Sequence, residues 1–190
     1  MSKVRALLVG EDAHGSTESA RLGSPGKEAM SADSPVVTRS RQKEWLPILE
    51  LAVQEVFEIM LGSRLAPVAE SEPPPQREFT AIVSLAGSLR GIITFSCGSQ
   101  SAGQIAAHML GPEISHAEGQ VSDAIGEICN MIAGNFKNKL TGLGGLCLLS
   151  VPAVVTGQGL RFHSMAGGDS LEIVLLFEGS PVVIRLDLHA

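Results

Sequence analysis

The sequence predicts an α+β domain in which an antiparallel sheet of two β-hairpins is covered by amphipathic helices. Two long segments carry apolar residues at helical spacing, and each is later followed by two β-like runs that turn at a Gly-Ser pair. The helical segments "LAVQEVFEIMLG" and "DAIGEICNMIAG" also align without gaps. Two unrelated amphipathic helices could align by chance, but the matching hairpins favour an internally duplicated α-β-β unit.

The amino-terminal segment differs in composition from the rest of the chain. From Glu11 to about Arg41 it is rich in Gly, Ser, Pro, Ala and charged residues and has no apolar periodicity. Such a segment buries too little apolar surface to offset the entropy of ordering it. We therefore expect a disordered tail over residues 1–42 and one folded domain over residues 43–190. The apolar run in "VRALLVGED" resembles a first strand, but nothing after it continues that pattern.

The first half of the domain is predicted to hold a long helix, a hairpin and a short helix. The helix lies in "EWLPILELAVQEVFEIMLG" and stops at Gly62, and three prolines in "ESEPPPQRE" then exclude regular structure. The runs "FTAIVSLA" and "LRGIITFS" form a hairpin joined at Gly87 and Ser88. The short helix "SQSAGQIAAHMLG" is expected to be capped by Ser99 or Ser101.

The second half also holds a long helix that is later followed by a hairpin. A helix is predicted from about Ser122, its expected cap, to Leu140, and a glycine-rich stretch ends it. "CLLSVPAVV" is strand-like around Pro152. "SLEIVLLFEGSPVVIRLDL" then predicts a second hairpin with its turn at Gly179 and Ser180. The last run, "VVIRLDL", has the character of a sheet edge that another chain could join.

Composition excludes several classes of function. A net charge of −6 and a pI near 5.3 argue against a nucleic-acid partner, which would need clustered Lys and Arg. No run approaches the roughly 18 apolar residues of a membrane span, and the apolar patch from Val4 to Gly10 is shorter than we expect of a signal peptide, so a cytoplasmic location is expected. The cysteines Cys97, Cys129 and Cys147 are odd in number and widely spaced, which predicts reduced core thiols. The histidines lack metal-ligand spacing, so no metal site is expected.

The second long helix has two distinct sides at about 100° per residue. One side gathers apolar residues that are expected to face the core: Ile125, Ile128, Cys129, Ile132, Phe136 and Leu140. The other side gathers a polar stripe: Asp123, Glu127, Asn130, Gly134, Lys137, Asn138 and Thr141. Glu127 and Asn130 are therefore neighbours that point the same way.

A polar stripe is usually a solvated helix face, but this one departs from that pattern. Asn is a mediocre helix former, yet three asparagines occur here. Gly134 costs about 1 kcal/mol relative to Ala within a helix, and a bare backbone there would let another surface come close. Met131, at the edge of the stripe, suits a protein contact. These features favour a docking face centred on Glu127 and Asn130.

The spacing Asp123-x3-Glu127-x2-Asn130, continued as "NMIAGN" and followed by Pro152, resembles the signature of the CheC, CheX and FliY family of chemotaxis phosphatases. Because the chain carries only one intact signature, it most resembles the CheX-like members of this family. The resemblance implies an enzyme that dephosphorylates the phospho-aspartate of a CheY-like response regulator, with no cofactor of its own and with Mg²⁺ held by the receiver domain. It also implies a homodimer built by joining sheet edges.

The resemblance assigns roles to individual residues. Asn130 would orient an attacking water, and Glu127 would form an ion pair with a lysine of the receiver. Four further residues would line the partner-binding surface: Asp123, Met131, Gly134 and Asn135. In the first half, Glu58 stands where Asn130 stands in the second, and a carboxylate there would repel phosphate, so that half is expected to be inactive. The alternative is a non-catalytic adaptor that binds a receiver domain or a flagellar component on the same fold.

Overall fold

A computed structural model describes residues 5–9, 39–68, 75–111, 118–142, 144–159 and 170–188 of the chain. In chain order its elements are β1 (Arg5–Val9), α1 (Arg39–Leu61), β2 (Ala66–Pro67), β3 (Phe79–Gly87), β4 (Gly91–Cys97), α2 (Ser99–Leu110), α3 (Glu118–Lys139), a 3₁₀ turn (Gly144–Leu146), β5 (Cys147–Leu149), β6 (Ala153–Thr156), β7 (Ser170–Phe177) and β8 (Ser180–Leu188). None of the helices in these ranges is both long enough and apolar enough to cross a membrane.

The strands form one antiparallel sheet in the order β1-β7-β8-β4-β3-β5, in which β2 also pairs with β7 and β6 also pairs with β3. Hairpin β3–β4 and hairpin β7–β8 meet at the centre through the pairing of β4 with β8. The strand after α1 joins the second hairpin, and the strands after α3 join the first. The α+β prediction is confirmed, and this reciprocal connectivity supports the predicted duplication.

The core lies between the helices and one face of the sheet. Burial alternates along β7, whereas the two central strands β4 and β8 are buried over most of their length, including Ile93 and Ile184. Phe57 of α1 contacts Phe95 and Phe177, with ring centroids 6.0 and 5.2 Å apart, so this helix packs on both hairpins. All six residues predicted for the apolar side of α3 are buried, from Ile125 through Leu140.

Backbone conformation explains where α1 ends and where the second hairpin turns. Gly62 follows α1 at φ 62°, a left-handed conformation that glycine adopts without steric cost. Glu178 and Gly179 connect β7 to β8 at φ 48° and 80°. Positive φ at both central residues matches the twist of a two-residue hairpin. The turn therefore lies one residue earlier than predicted, because Ser180 already pairs with Phe177.

Two predicted helix starts and one predicted cap differ from the structure. Neither Ser99 nor Ser101 caps α2; instead the Glu78 carboxylate accepts hydrogen bonds from the backbone N–H and the hydroxyl of Ser99. A carboxylate from another part of the chain thus satisfies the helix end, which local sequence does not reveal. Helix α3 begins at Glu118 rather than Ser122, and α1 begins at Arg39.

Two elements lie within the predicted 1–42 tail. Arg5–Val9 forms β1, whose backbone pairs with the outer edge of β7. The first residues of α1 also precede residue 43. Residues 10–38 of the predicted tail lie outside the described residues. The interpretation of "VVIRLDL" as a sheet edge is wrong: β8 is paired with β7 on one side and β4 on the other. Its apolar character reflects burial within the sheet.

Candidate functional site

The polar stripe of α3 is accessible at its amino-terminal half. Asp123 and Glu127 are exposed, and Asn130, Met131 and Gly134 are half-buried. Neither the Glu127 carboxylate nor the Asn130 amide forms a hydrogen bond or ion pair within the described part of the chain. Both side chains therefore keep their full hydrogen-bonding capacity for another molecule.

The segment that joins β5 to β6 forms a wall along this stripe. At one end, a Cβ placed on Gly126 would lie 3.2 Å from Val154 Cγ2 and 3.7 Å from the Pro152 ring. At the other end, a Cβ on Gly134 would lie 4.0 Å from Leu149 Cδ1. Helix and segment therefore run side by side in opposite directions.

The lengths of α3 and of the β5–β6 segment between their two contacts indicate which residues form the middle of the wall. Eight helical residues from Gly126 to Gly134 span about 12 Å, and an extended chain covers that distance in about four residues. Because Leu149 lies at one end and Pro152 with Val154 at the other, Ser150 and Val151 lie alongside Asn130. The free amide is thus bordered by the β5–β6 connection.

Hydrogen bonds to β3 hold this connection in place. The Ser150 N–H donates to the Ser84 carbonyl at 3.0 Å, and the Ser84 N–H donates to Ser150 Oγ at 2.9 Å. The Ser150 hydroxyl also donates to the Val151 carbonyl at 2.9 Å. With Ser150 directed at β3, the Val151 side chain is left 87% exposed.

Asn135, which was predicted to touch a partner, is directed instead at α1. Its amide nitrogen donates to the Ala52 carbonyl at 3.2 Å and to Glu55 Oε2 at 2.9 Å. Lys139 Nζ lies 2.6 Å from the same Glu55 oxygen. Lys139, and secondarily Asn135, hold the pKa of Glu55 below its ordinary value. Asn135 therefore joins α3 to α1 rather than adding to the accessible stripe.

The matching face of α1 carries no amide at the position equivalent to Asn130. Glu58, which stands there, forms an ion pair with Arg64 at 2.9 Å. Glu55, the equivalent of Glu127, is engaged by Lys139 and Asn135. Both carboxylates thus have partners within the chain, and the inactivity of this half stays a prediction.

The cysteines fit the prediction of reduced core thiols. Cys97, Cys129 and Cys147 are free and buried. Burial raises the pKa of Cys97 and of Cys129 to about 12, so neither forms the thiolate that nucleophilic catalysis needs. Within the ranges that the structure describes, no three His, Cys, Asp or Glu side chains are grouped closely enough to hold a metal ion.

Sequence reasoning missed the wall formed by Ser150 and Val151. One signal was available: Gly126 lies on the buried side of α3, where a helix would normally gain stability from a larger apolar residue. A glycine at such a position indicates that another segment approaches closely. Identifying that segment requires the three-dimensional structure.

Comparison with known proteins shows the family to which the chain belongs. The sequence model of the family described as "Chemotaxis phosphatase CheX" matches residues 79–176, just over half of the chain. The CheY-P phosphatase CheX of Thermotoga maritima is 31% identical over 84 residues, which are 44% of this chain and 54% of that protein. The chain thus matches about half the length of this curated relative.

Solved structures share the fold. A chemotaxis protein CheX from Desulfovibrio desulfuricans superposes with a TM-score of 0.67 at 22% identity, covering 77% of this chain and 99% of that one. The CheX of a CheX–CheY–BeF3–Mg²⁺ complex from Borrelia burgdorferi superposes with a TM-score of 0.62 at 20% identity, covering 77% of this chain and 98% of that one.

Proposed function

This chain belongs to the CheX family of chemotaxis phosphatases, and we propose that it removes the phosphoryl group from the phospho-aspartate of a CheY-like receiver domain. The observation that carries the proposal is the adjacent Glu127 and Asn130, accessible on α3 and without partners among the described residues. The Thermotoga relative is named a CheY-P phosphatase, and the Borrelia neighbour was crystallised with CheY.

Asn130 performs the chemical role in this proposal. Its neutral amide can accept a hydrogen bond from a water molecule and donate one to it without placing negative charge beside the phosphoryl group. The oriented water forms the new O–P bond in line as the bond from phosphorus to the aspartyl oxygen breaks. The products are inorganic phosphate and the free aspartate carboxylate. Positioning supplies most of the acceleration in such reactions, so a single amide is sufficient.

Glu127 sets the register of docking. One helical turn from Asn130, its exposed carboxylate can form an ion pair with a receiver lysine. This contact fixes how far α3 is inserted beside the phospho-aspartate, and therefore where the Asn130 amide lies relative to phosphorus. Asp123 and Met131 border the same surface and complete the contact with the receiver.

The reaction also needs a metal ion, which the receiver holds. The receiver supplies the Mg²⁺ that neutralises charge on the phosphoryl group, and the only acidic groups that this chain brings to the described stripe are Asp123 and Glu127. The protein acts in the cytoplasm as a homodimer. Since β8 is interior, such a dimer would join through another part of the sheet.

Timed phosphate release tests the function. A CheY-like receiver is phosphorylated with a small-molecule phosphodonor, the donor is removed, and inorganic phosphate is followed with and without this protein. Faster release with the protein supports the phosphatase. A protein that binds the phosphorylated receiver without changing its lifetime is the adaptor, and this result would reject the proposed enzyme.

A further inference from the structure

The most exposed large apolar side chain in the described residues lies beside the free amide. Val151 is 87% exposed, more than Ile59 at 77% or Leu146 at 71%. Single exposed apolar residues are common on protein surfaces and need no explanation by themselves. Val151 differs because the β5–β6 connection places it alongside Asn130, on the wall that borders the Glu127–Asn130 pair.

We infer that Val151 is a specificity-determining residue that contacts the receiver domain next to the phosphorylated pocket. This inference rests on the proposed function. Any receiver that brings its phospho-aspartate to Asn130 must also cover the middle of the wall, because the segment from Leu149 to Val154 runs beside α3 from Gly134 to Gly126, on either side of Asn130. Val151 is then removed from water by the same docking event that buries Asn130.

The connection is rigid enough to serve this purpose. Ser150 forms two backbone-directed hydrogen bonds with Ser84, and Pro152 has a fixed φ and packs against Gly126. Val151 therefore lies between two anchored residues, and its β-branched side chain has few rotamers to lose. A preorganised contact loses little entropy on binding, so more of its burial contributes to affinity.

The chemistry of the site also favours an apolar contact here. Protein interfaces combine a desolvated apolar anchor with a few aligned polar groups. Glu127 and Asn130 supply the polar groups on α3, and half-buried Met131 adds little apolar area. Burial of Val151 would exclude water around the Glu127 ion pair and strengthen it. Receivers with a polar or charged surface opposite Val151 would be bound less well.

Leu148 provides a matched control. It is 70% exposed and lies three residues before Val151. Cys147 and Leu149 on either side of it are buried or half-buried toward α3, so Leu148 projects from the opposite face of the sheet. The variants Val151→Asp and Leu148→Asp thus make the same chemical change on the same sheet edge, on two different surfaces.

The test measures binding separately from hydrolysis. The full chain is titrated against a CheY-like receiver held in its BeF3–Mg²⁺ form, which cannot be hydrolysed. We expect Val151→Asp to weaken binding about tenfold and Leu148→Asp to change it less than about twofold. Thermal unfolding of both variants checks that the fold is intact.

Two results would overturn the inference: unchanged affinity in a folded Val151→Asp variant, or equal weakening by both variants. Failure of the wild type to bind would overturn it together with the proposed function. Binding without accelerated phosphate release would reject the phosphatase alone, and the comparison of Val151→Asp with Leu148→Asp would still decide the role of Val151.

Discussion

At the scale of single residues, two asparagines on one helix show how position decides role. Asn130 is half-buried and its amide forms no hydrogen bond within the described residues, whereas the Asn135 amide donates to Ala52 and Glu55 of α1. Five positions correspond to a rotation of about 140° around the helix, so the two amides face different surroundings. The stripe could be predicted from periodicity, but the neighbour of Asn135 could not.

Replacement of Glu127 by Gln tests the docking role at this scale. The change removes one negative charge and keeps the shape of the side chain, so we expect KM for the phosphorylated receiver to rise about tenfold with little change in kcat. Steady-state phosphate release at several receiver concentrations separates the two constants. The effect should shrink as salt is raised, since salt screens the attraction between the exposed Glu127 carboxylate and the receiver lysine before docking excludes water. A fall in kcat at unchanged KM would assign Glu127 to the chemical step.

At the scale of elements, the site depends on how closely α3 and the β5–β6 connection approach each other. Gly126 permits this contact, because any side chain there meets Val154. Periodicity predicted the apolar side of α3 and the strands of both hairpins, since these depend on local spacing, although the turn of the second hairpin lies one residue earlier than predicted. It failed for the cap of α2 and for the wall beside Asn130, because each depends on residues far away in the chain, such as Glu78 and Ser150.

Two glycines of α3 form a matched pair for testing this contact. Among the described residues, Gly119 has no atom within 4 Å of an added Cβ, so Gly119→Ala should raise the free energy of unfolding through helix propensity, by less than the roughly 1 kcal/mol of a helix interior because Gly119 lies in the first turn. In Gly126→Ala the new Cβ meets Val154 Cγ2 at 3.2 Å, and we expect this crowding to cancel the gain. Urea unfolding measures both values. Equal stabilisation by the two substitutions would show that the connection does not pack closely on α3.

At the scale of the whole molecule, two carboxylates connect separate parts of the fold. Glu78 accepts hydrogen bonds from Ser99 at the start of α2 and from Gln158 after β6, and Glu55 binds Lys139 and Asn135 of α3. Both lie far in sequence from their partners, so they stabilise the tertiary arrangement. The duplicated sheet was predictable from the internal alignment, whereas the interior place of β8 emerges from the complete strand order.

These carboxylates predict how stability depends on pH. The hydrogen bond from the Ser99 hydroxyl is the main cause that lowers the pKa of Glu78, and Lys139 is the main cause for Glu55. A lowered pKa in the folded state means that the stabilisation is complete above the ordinary carboxyl pKa of 4.5 and is lost as pH falls through the lowered value.

We therefore expect Glu78→Gln to be less stable than the wild type at neutral pH, with a difference that shrinks as pH falls below 4.5. Urea unfolding of both proteins across this range measures the difference. A difference that stays constant with pH would show that the Glu78 charge does not contribute.

The central claim is that the Asn130 amide positions the attacking water, and single-turnover kinetics of Asn130→Ala test it most directly. With the protein in excess over phosphorylated receiver, the decay rate reports the chemical step apart from binding. We predict a decay about 100-fold slower than with the wild type, while affinity for the BeF3–Mg²⁺ receiver is unchanged. A variant that binds as tightly and hydrolyses within about twofold of the wild-type rate would contradict the claim.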